Sequence, residues 1–77
     1  MAITYEFLVR KGGDAEVIAS VTNDAGKVTW EGNPDTVAGI QRMIDEAGFN
    51  LSDPAQLPLM GDRFGRGSYF TAAPADR

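Results

Sequence analysis

The sequence predicts a small α+β domain with a three- or four-stranded antiparallel sheet, one amphipathic helix packed on one face and a long C-terminal loop. Three observations lead to this fold class. Apolar and polar residues alternate through most of the first 31 positions, a helical period follows over 34–47, and no clear period continues beyond Gly48. The chain has 77 residues, which is enough for one modest core and therefore for a single domain over 1–77.

The first three strands are predicted at 3–10, 16–22 and 27–31, each rich in strand-forming residues. Gly12 and Gly13 separate the first two, and Gly26 separates the next two, so an antiparallel meander is expected. Ile18 interrupts the alternation of the second strand. One face of the sheet then carries the apolar residues Ile3, Tyr5, Phe7, Val9, Val17, Ala19, Val21, Val28 and Trp30.

The helix over 34–47 is expected to cover that apolar face, because so much apolar surface is costly in water. Asn33 is a good N-cap residue, and Pro34 suits a first helical position. Gly48 suits the position after the helix ends. The residues that recur at helical spacing and should face the sheet are Val37, Ile40, Ile44 and Ala47.

The C-terminal third has weaker patterns. A single turn is expected at 52–57, ending before Pro58, and the residues 59–67 read as a long loop. Residues 68–72 have strand character and are expected to add a fourth strand or to lie across the sheet edge. A polar tail over 72–77 is expected to fray.

Composition excludes several classes of function. The chain has no His and no Cys, so it lacks the usual general base, nucleophilic thiol and zinc ligands. We therefore expect no enzymatic activity, no cofactor, no metal site and no small-molecule substrate. A formal net charge of −4 argues against nucleic-acid binding, since phosphate affinity needs several basic residues on one face. No apolar run reaches the roughly 20 residues of a membrane span, and we expect a cytoplasmic chain without membrane association.

The most distinctive local composition is the segment 61–68, with two arginines and a serine among glycines. Three interpretations stay open: a flexible loop whose arginines pair with the domain's own carboxylates, a contact site for a partner, or an anion-binding nest. Arginine and aromatic residues are enriched among the residues that dominate protein interfaces. The predicted partner-binding residues are Arg63, Phe64, Arg66, Tyr69 and Phe70.

The C-terminal run Gly67, Ser68, Tyr69, Phe70, Thr71 and Ala72, with Asp24, Gly26, Val28 and Trp30 upstream, resembles small proteins of actinobacteria and their phages. This resemblance implies a virion part or an inhibitor of a host system, and it carries over no functional residues. We therefore expect a non-catalytic protein-binding module, an accessory structural component of a phage particle or similar assembly that self-associates or binds a protein. Such a component would be located in the virion. The alternative is a small acidic inhibitor that mimics nucleic acid or blocks a host defence.

Overall fold

A computed structural model describes residues 2–67 and 69–75 and confirms the α+β class. Three strands come first: β1 (Ala2–Lys11), β2 (Asp14–Asp24) and β3 (Lys27–Gly32). Two helices follow, α1 (Pro34–Glu46) and α2 (Gln56–Phe64), and then the last strand, β4 (Phe70–Pro74). All strand pairs are antiparallel, and the order across the sheet is β3, β2, β1, β4. The central pair is therefore β1 and β2, with β3 and β4 at the two edges.

Both helices lie on one face of the sheet. Helix α1 packs on β2 and β3, whereas α2 packs on β1 and β4. Between the helices and the sheet lies one hydrophobic core, formed by Tyr5, Phe7, Ala19, Val21, Ile40, Ile44, Leu51, Leu57, Met60 and Ala72. The opposite face, which we call the open face, is covered by no helix of the described residues. There the hydroxyls of Thr4 and Thr22 are hydrogen-bonded at 2.8 Å.

A β-bulge in β2 corrects the predicted position of Val17. Phe7 pairs with Ala19, but the next residue of β1, Leu8, pairs with Val17, so Ile18 is the extra residue of the bulge. The extra residue reverses the alternation, and Val17 lies on the open face with 48% of its surface exposed. Ile18 packs against the core instead. The expectation that Val17 belongs to the core was wrong because strand alternation assumes an unbroken register.

The turn between β2 and β3 is tied to the rest of the domain by a buried asparagine. Ala25 and Gly26 both have positive φ, 54° and 87°, as a two-residue type I′ turn requires. Asn23 is 1% exposed, and its side-chain oxygen accepts a hydrogen bond from the Gly26 N–H. Its amide nitrogen donates to the carbonyl oxygen of Leu51 at 2.7 Å. Asn23 therefore connects this turn to the segment between the helices.

Helix α1 begins where the sequence predicts. The Asn33 side-chain oxygen accepts hydrogen bonds from the N–H groups of Asp35 at 2.9 Å and Thr36 at 3.4 Å, and Pro34 is the first helical residue. These contacts satisfy two of the first-turn donors that a helix leaves without an internal partner. The residues of α1 buried against the sheet are Ile40 and Ile44.

Asn33→Ala is expected to lower the free energy of unfolding by about 0.5–2 kcal/mol, because both first-turn N–H groups lose their acceptor. Thermal or urea unfolding measures the loss. The matched control is Asn33→Asp, which keeps an oxygen acceptor at the same position and should be close to neutral. Equal stability of the alanine variant and the original chain would show that the cap contributes nothing.

The second helix corrects the predicted long loop. Residues 56–64 form α2, with Leu57 and Met60 fully buried and Phe64 half-buried. Pro58 suggested a break, but it is the third residue of α2, where its missing N–H has no intrahelical acceptor anyway. Gly61 lies directly against the ring of Tyr5, and a Cβ there would overlap that ring. Glycine at this position lets α2 approach β1 closely.

The C-terminal strand lies two residues further along the chain than predicted. The predicted fourth strand over 68–72 is present as β4, which begins at Phe70 and ends at Pro74. The prediction that the chain frays from residue 72 was therefore wrong for residues 72–74. Ala72 belongs to the core, where it is only 4% exposed, and it pairs with Phe7. Ser68, Asp76 and Arg77 lie outside the described residues. Long-range pairing with β1 overrides the weak local pattern of this segment.

Candidate functional site

Two of the five predicted partner-binding residues belong to the margin of the core. Phe70 stacks on Phe7 with ring centroids 5.9 Å apart, and Phe64 meets Phe70 edge to face at 6.4 Å. Phe64 also contacts Phe49 edge to face at 6.4 Å, which links α2 to the segment after α1. Both Phe64 and Phe70 are half-buried. Their main contribution is therefore packing, as for other aromatic residues in small cores.

The other three predicted residues are exposed near one end of the sheet. Arg63 is in the last turn of α2 with its guanidinium carbon 5.6 Å from the centre of the Phe64 ring, and Arg66 is in the turn that follows. Tyr69 is 62% exposed, and its carbonyl oxygen accepts a hydrogen bond from the Arg10 N–H at 2.8 Å. We call Arg10, Arg63, Arg66 and Tyr69 the basic end. Its members are the residue types most enriched among interface hot spots.

Arg63→Ala combined with Arg66→Ala is expected to change the free energy of unfolding by no more than about 0.5 kcal/mol, as for exposed positions. If the basic end contacts a protein partner, the same variant should weaken binding by about 1 kcal/mol or more. Urea unfolding and a crosslinking assay measure the two effects separately. Loss of folding would instead show that the arginines stabilise the domain, and unchanged binding would remove them from the interface.

A groove beside β3 is a second candidate site, one that sequence reasoning missed. It has a volume of about 370 Å³ and opens to solvent between β3, α1 and the segment after α1. We call it the Trp30 groove. It is lined by Val28 and Trp30 of β3, Gln41, Ile44 and Asp45 of α1, and residues 49–52.

Trp30 forms one wall of this groove and also contacts the core. Its ring stacks on Phe7 at 5.7 Å with an interplanar angle of 16°. The residue of β2 that pairs with Phe7 is Ala19, whose small side chain leaves room for two rings to meet across the strand between them. Trp30 is half-buried, so part of the indole lines the groove while the rest packs inward. The aromatic wall is therefore rigidly supported.

The backbone of β3 leaves an unpaired edge next to the Trp30 groove. Asp24 and Lys27 flank the two-residue turn, where the Lys27 N–H bonds back toward β2. The direction of the backbone N–H and C=O groups alternates along an antiparallel strand. Those of Thr29 and Glu31 therefore also point toward β2. Val28 and Trp30 direct their N–H and C=O groups away from the sheet. No strand of residues 2–67 or 69–75 pairs with this side of β3.

The opposite edge, on β4, is protected. The Arg10 N–H donates to the Tyr69 carbonyl oxygen, and the Ala75 N–H donates to the Thr4 carbonyl oxygen. With this register, the backbone groups of Phe70, Ala72 and Pro74 point away from β1, toward the edge of the sheet. Pro74 has no N–H to offer, and proline is a common way to block an edge strand. The turn after α2 also lies close: a Cβ at Gly65 would be 3.3 Å from the Ala72 carbonyl oxygen. The β3 edge is therefore the more accessible of the two.

The signal that could have indicated this site was the composition of β3 itself. Trp30 faces the core between two exposed residues, Thr29 and Glu31, in a strand that the predicted meander already placed last. Which strand occupies the other edge, and whether a helix leaves a gap beside Trp30, depend on tertiary packing. A local pattern does not contain that information.

The described residues contain no group of three or more His, Cys, Asp or Glu side chains that could hold a metal ion. In the same part of the chain, neither helix is long and apolar enough to cross a membrane. Comparison with family models, curated proteins and solved structures finds no match to this chain.

Proposed function

We propose that the chain is a non-catalytic protein-binding module that docks an extended segment along the exposed edge of β3. The observation that carries this proposal is the coincidence of an unpaired strand edge with the Trp30 groove. Strand addition uses main-chain hydrogen bonds for affinity and side-chain pockets for specificity. Both are available at β3 and its neighbouring groove.

The geometry suits one added strand. A segment paired with β3 would bond to the outward N–H and C=O groups of Val28 and Trp30, and every second side chain would lie on the helix side of the sheet. That is the side on which the groove opens. Val28, Trp30 and Ile44 offer apolar contact there, whereas Gln41, Asn50 and Ser52 offer polar contact.

The setting we propose for this binding is a phage particle or a similar assembly, in which the chain is an accessory structural component. The C-terminal resemblance to proteins of actinobacteria and their phages supports this setting, and the small size of the domain is compatible with it. The basic end supplies a second surface, so that one copy could contact two neighbours. The alternative of an acidic inhibitor has the net charge of −4 in its favour, but the acidic residues are scattered along the chain, whereas Arg10, Arg63, Arg66 and Tyr69 gather at one end of the sheet.

The docking surface is tested with Val28→Pro in cells that produce the tagged chain, after mild crosslinking. Proline removes an outward N–H without removing a bond to β2, as edge positions tolerate. The matched control is Val28→Ala, which loses the side chain and keeps the N–H. We expect the alanine variant to retain more of the crosslinked partner, and the proline variant to bind about three- to tenfold more weakly, as for one lost hydrogen bond.

Equal crosslinking of the proline and alanine variants would contradict docking at β3. The assembly is tested separately by probing purified particles for the chain. We expect it to be present in fixed proportion to a main structural protein. Its absence from particles would overturn the proposed setting. Docking at β3 would still be decided by the crosslinking assay.

A further inference from the structure

We infer that the segment docked on β3 is β3 of a second copy, paired antiparallel about a two-fold axis at Thr29 so that two sheets join into one of eight strands. This inference rests on the proposed function, because it names the partner of the same docking surface. The outward direction of backbone groups in β3 and the charges at its two ends support this pairing.

The outward hydrogen-bonding groups fit a two-fold arrangement. With Thr29 opposite itself, Val28 of each copy lies opposite Trp30 of the other. Both residues direct their N–H and C=O groups outward, so each of these two pairs can exchange two hydrogen bonds. The backbone N–H and C=O groups of Thr29 point toward β2 of its own copy. Thr29 therefore lies between the two hydrogen-bonded pairs, as the alternation of antiparallel pairing requires.

The charges of β3 are self-complementary in this register. Lys27 and Glu31 are both exposed and both lie on the open face, two residues before and two residues after Thr29. Antiparallel pairing about Thr29 places Lys27 of each copy opposite Glu31 of the other, which gives two cross-strand pairs of opposite charge. A shift of the axis to Val28 or Trp30 separates these charges. The register centred on Thr29 is therefore the favoured one.

The helix side of the joined sheet is also suitable. Val28 and Trp30 of the two copies would be neighbours across the junction, where apolar and aromatic pairs stabilise antiparallel strands. The Trp30 groove opens on this side and leaves space for the second copy's side chains. Since the β4 edge carries Pro74 and is approached by the turn after α2, pairing through β3 ends at two copies rather than continuing as a fibre.

The experiment uses charge reversal and mixing. Sedimentation equilibrium from about 1 µM to 1 mM measures self-association of the original chain, of Lys27→Glu and of Glu31→Lys. Each single variant places like charges opposite each other twice in a pair of identical copies. We expect each to self-associate about tenfold more weakly than the original chain, as for two exposed charge pairs turned repulsive. An equimolar mixture of the two variants restores both attractive pairs and should associate like the original chain.

Glu46→Lys is the control, because it makes the same charge change as Glu31→Lys at an exposed position on α1. It should associate like the original chain, and circular dichroism checks that every variant is folded. Weak association of each single variant together with restored association of their mixture supports the inference. An effect of the substitutions on folding would weaken association of the mixture as well. Association that is equal in all variants overturns it, because another surface must then join the copies.

A chain that stays monomeric up to 1 mM also overturns the pairing of two copies. The proposed function is decided independently by the Val28→Pro crosslinking assay. If a different protein crosslinks to the chain and Val28→Pro weakens that crosslinking, the proposed function holds, but the segment docked on β3 is not a second copy. Failure of both assays would overturn the proposed function together with this inference.

Discussion

Phe7→Ala should destabilise the domain by about 3–5 kcal/mol, the loss typical of removing a buried aromatic ring. Phe7 is fully buried and its ring stacks on both Trp30 and Phe70, so the truncation leaves a cavity that neither neighbour can fill without losing its own packing. Natural domains have only about 5–15 kcal/mol of net stability, and a chain of this size lies toward the lower limit. We expect much of the Phe7→Ala protein to be unfolded at 37 °C, as measured by circular dichroism during urea and thermal unfolding.

The matched control for this experiment is Tyr69→Ala, which removes an aromatic ring that is 62% exposed. Its expected effect is within about 0.5 kcal/mol, as for surface positions. A loss below about 1 kcal/mol for Phe7→Ala would contradict the assignment of this face of the sheet to the core. It would also remove the support that Phe7 gives to the wall of the Trp30 groove.

Asn23→Ala is expected to lower the free energy of unfolding by about 1.5–4.5 kcal/mol. The substitution leaves the buried Leu51 carbonyl unsatisfied, at about 1–3 kcal/mol, and removes the part-buried bond to the Gly26 N–H, at about 0.5–1.5 kcal/mol. Leu51 lies in the segment that borders the Trp30 groove, so the groove should lose its shape as well. Urea unfolding measures the stability, and amide exchange over residues 49–52 measures the local loosening.

Asn23→Asp separates hydrogen bonding from shape. The carboxylate keeps the acceptor for Gly26 but cannot donate to Leu51, and burial of its charge raises the pKa of the introduced carboxyl above that in the unfolded chain. The folded variant then binds more protons than the unfolded one, so its stability should rise as pH falls toward about 4, relative to the original chain. A stability difference that does not change with pH would contradict the buried position of Asn23.

The sequence was sufficient for the elements whose patterns are local. Strands β1 to β3 and helix α1 follow from period-two alternation, from glycine turns and from the Asn33 cap, and each is present within a few residues of its predicted limits. The open question of a third or fourth strand is answered by β4. Its pairing with β1 joins residues more than sixty positions apart, so no local pattern could place it.

Two of the errors in the predicted fold have different physical causes. The spacing of Leu57, Met60 and Phe64 was helical and visible, but Pro58 was taken as an end although the first turn of a helix tolerates proline. The bulge at Ile18 could not be seen, because an extra residue is defined only against the strand that it pairs with. Position Val17 was misassigned for that reason.

The candidate site was the least predictable part. Arginine and aromatic composition led to Arg63, Phe64, Arg66, Tyr69 and Phe70, of which two are packed at the core margin. A free strand edge has no compositional signature of its own. It follows from the order of the strands and from Pro74 at the other edge, both of which are properties of the folded chain.

Amide hydrogen exchange of β3, resolved by residue with NMR, tests the central claim most directly. In the dilute chain we expect the N–H groups of Val28 and Trp30 to exchange fast, while those of Thr29 and Glu31, which bond to β2, exchange slowly. When the concentration is raised to about 1 mM, Val28 and Trp30 should become protected, and the β4 amides should not change. Protection of Val28 and Trp30 already in the dilute chain, or concentration-dependent protection confined to β4, would contradict the account.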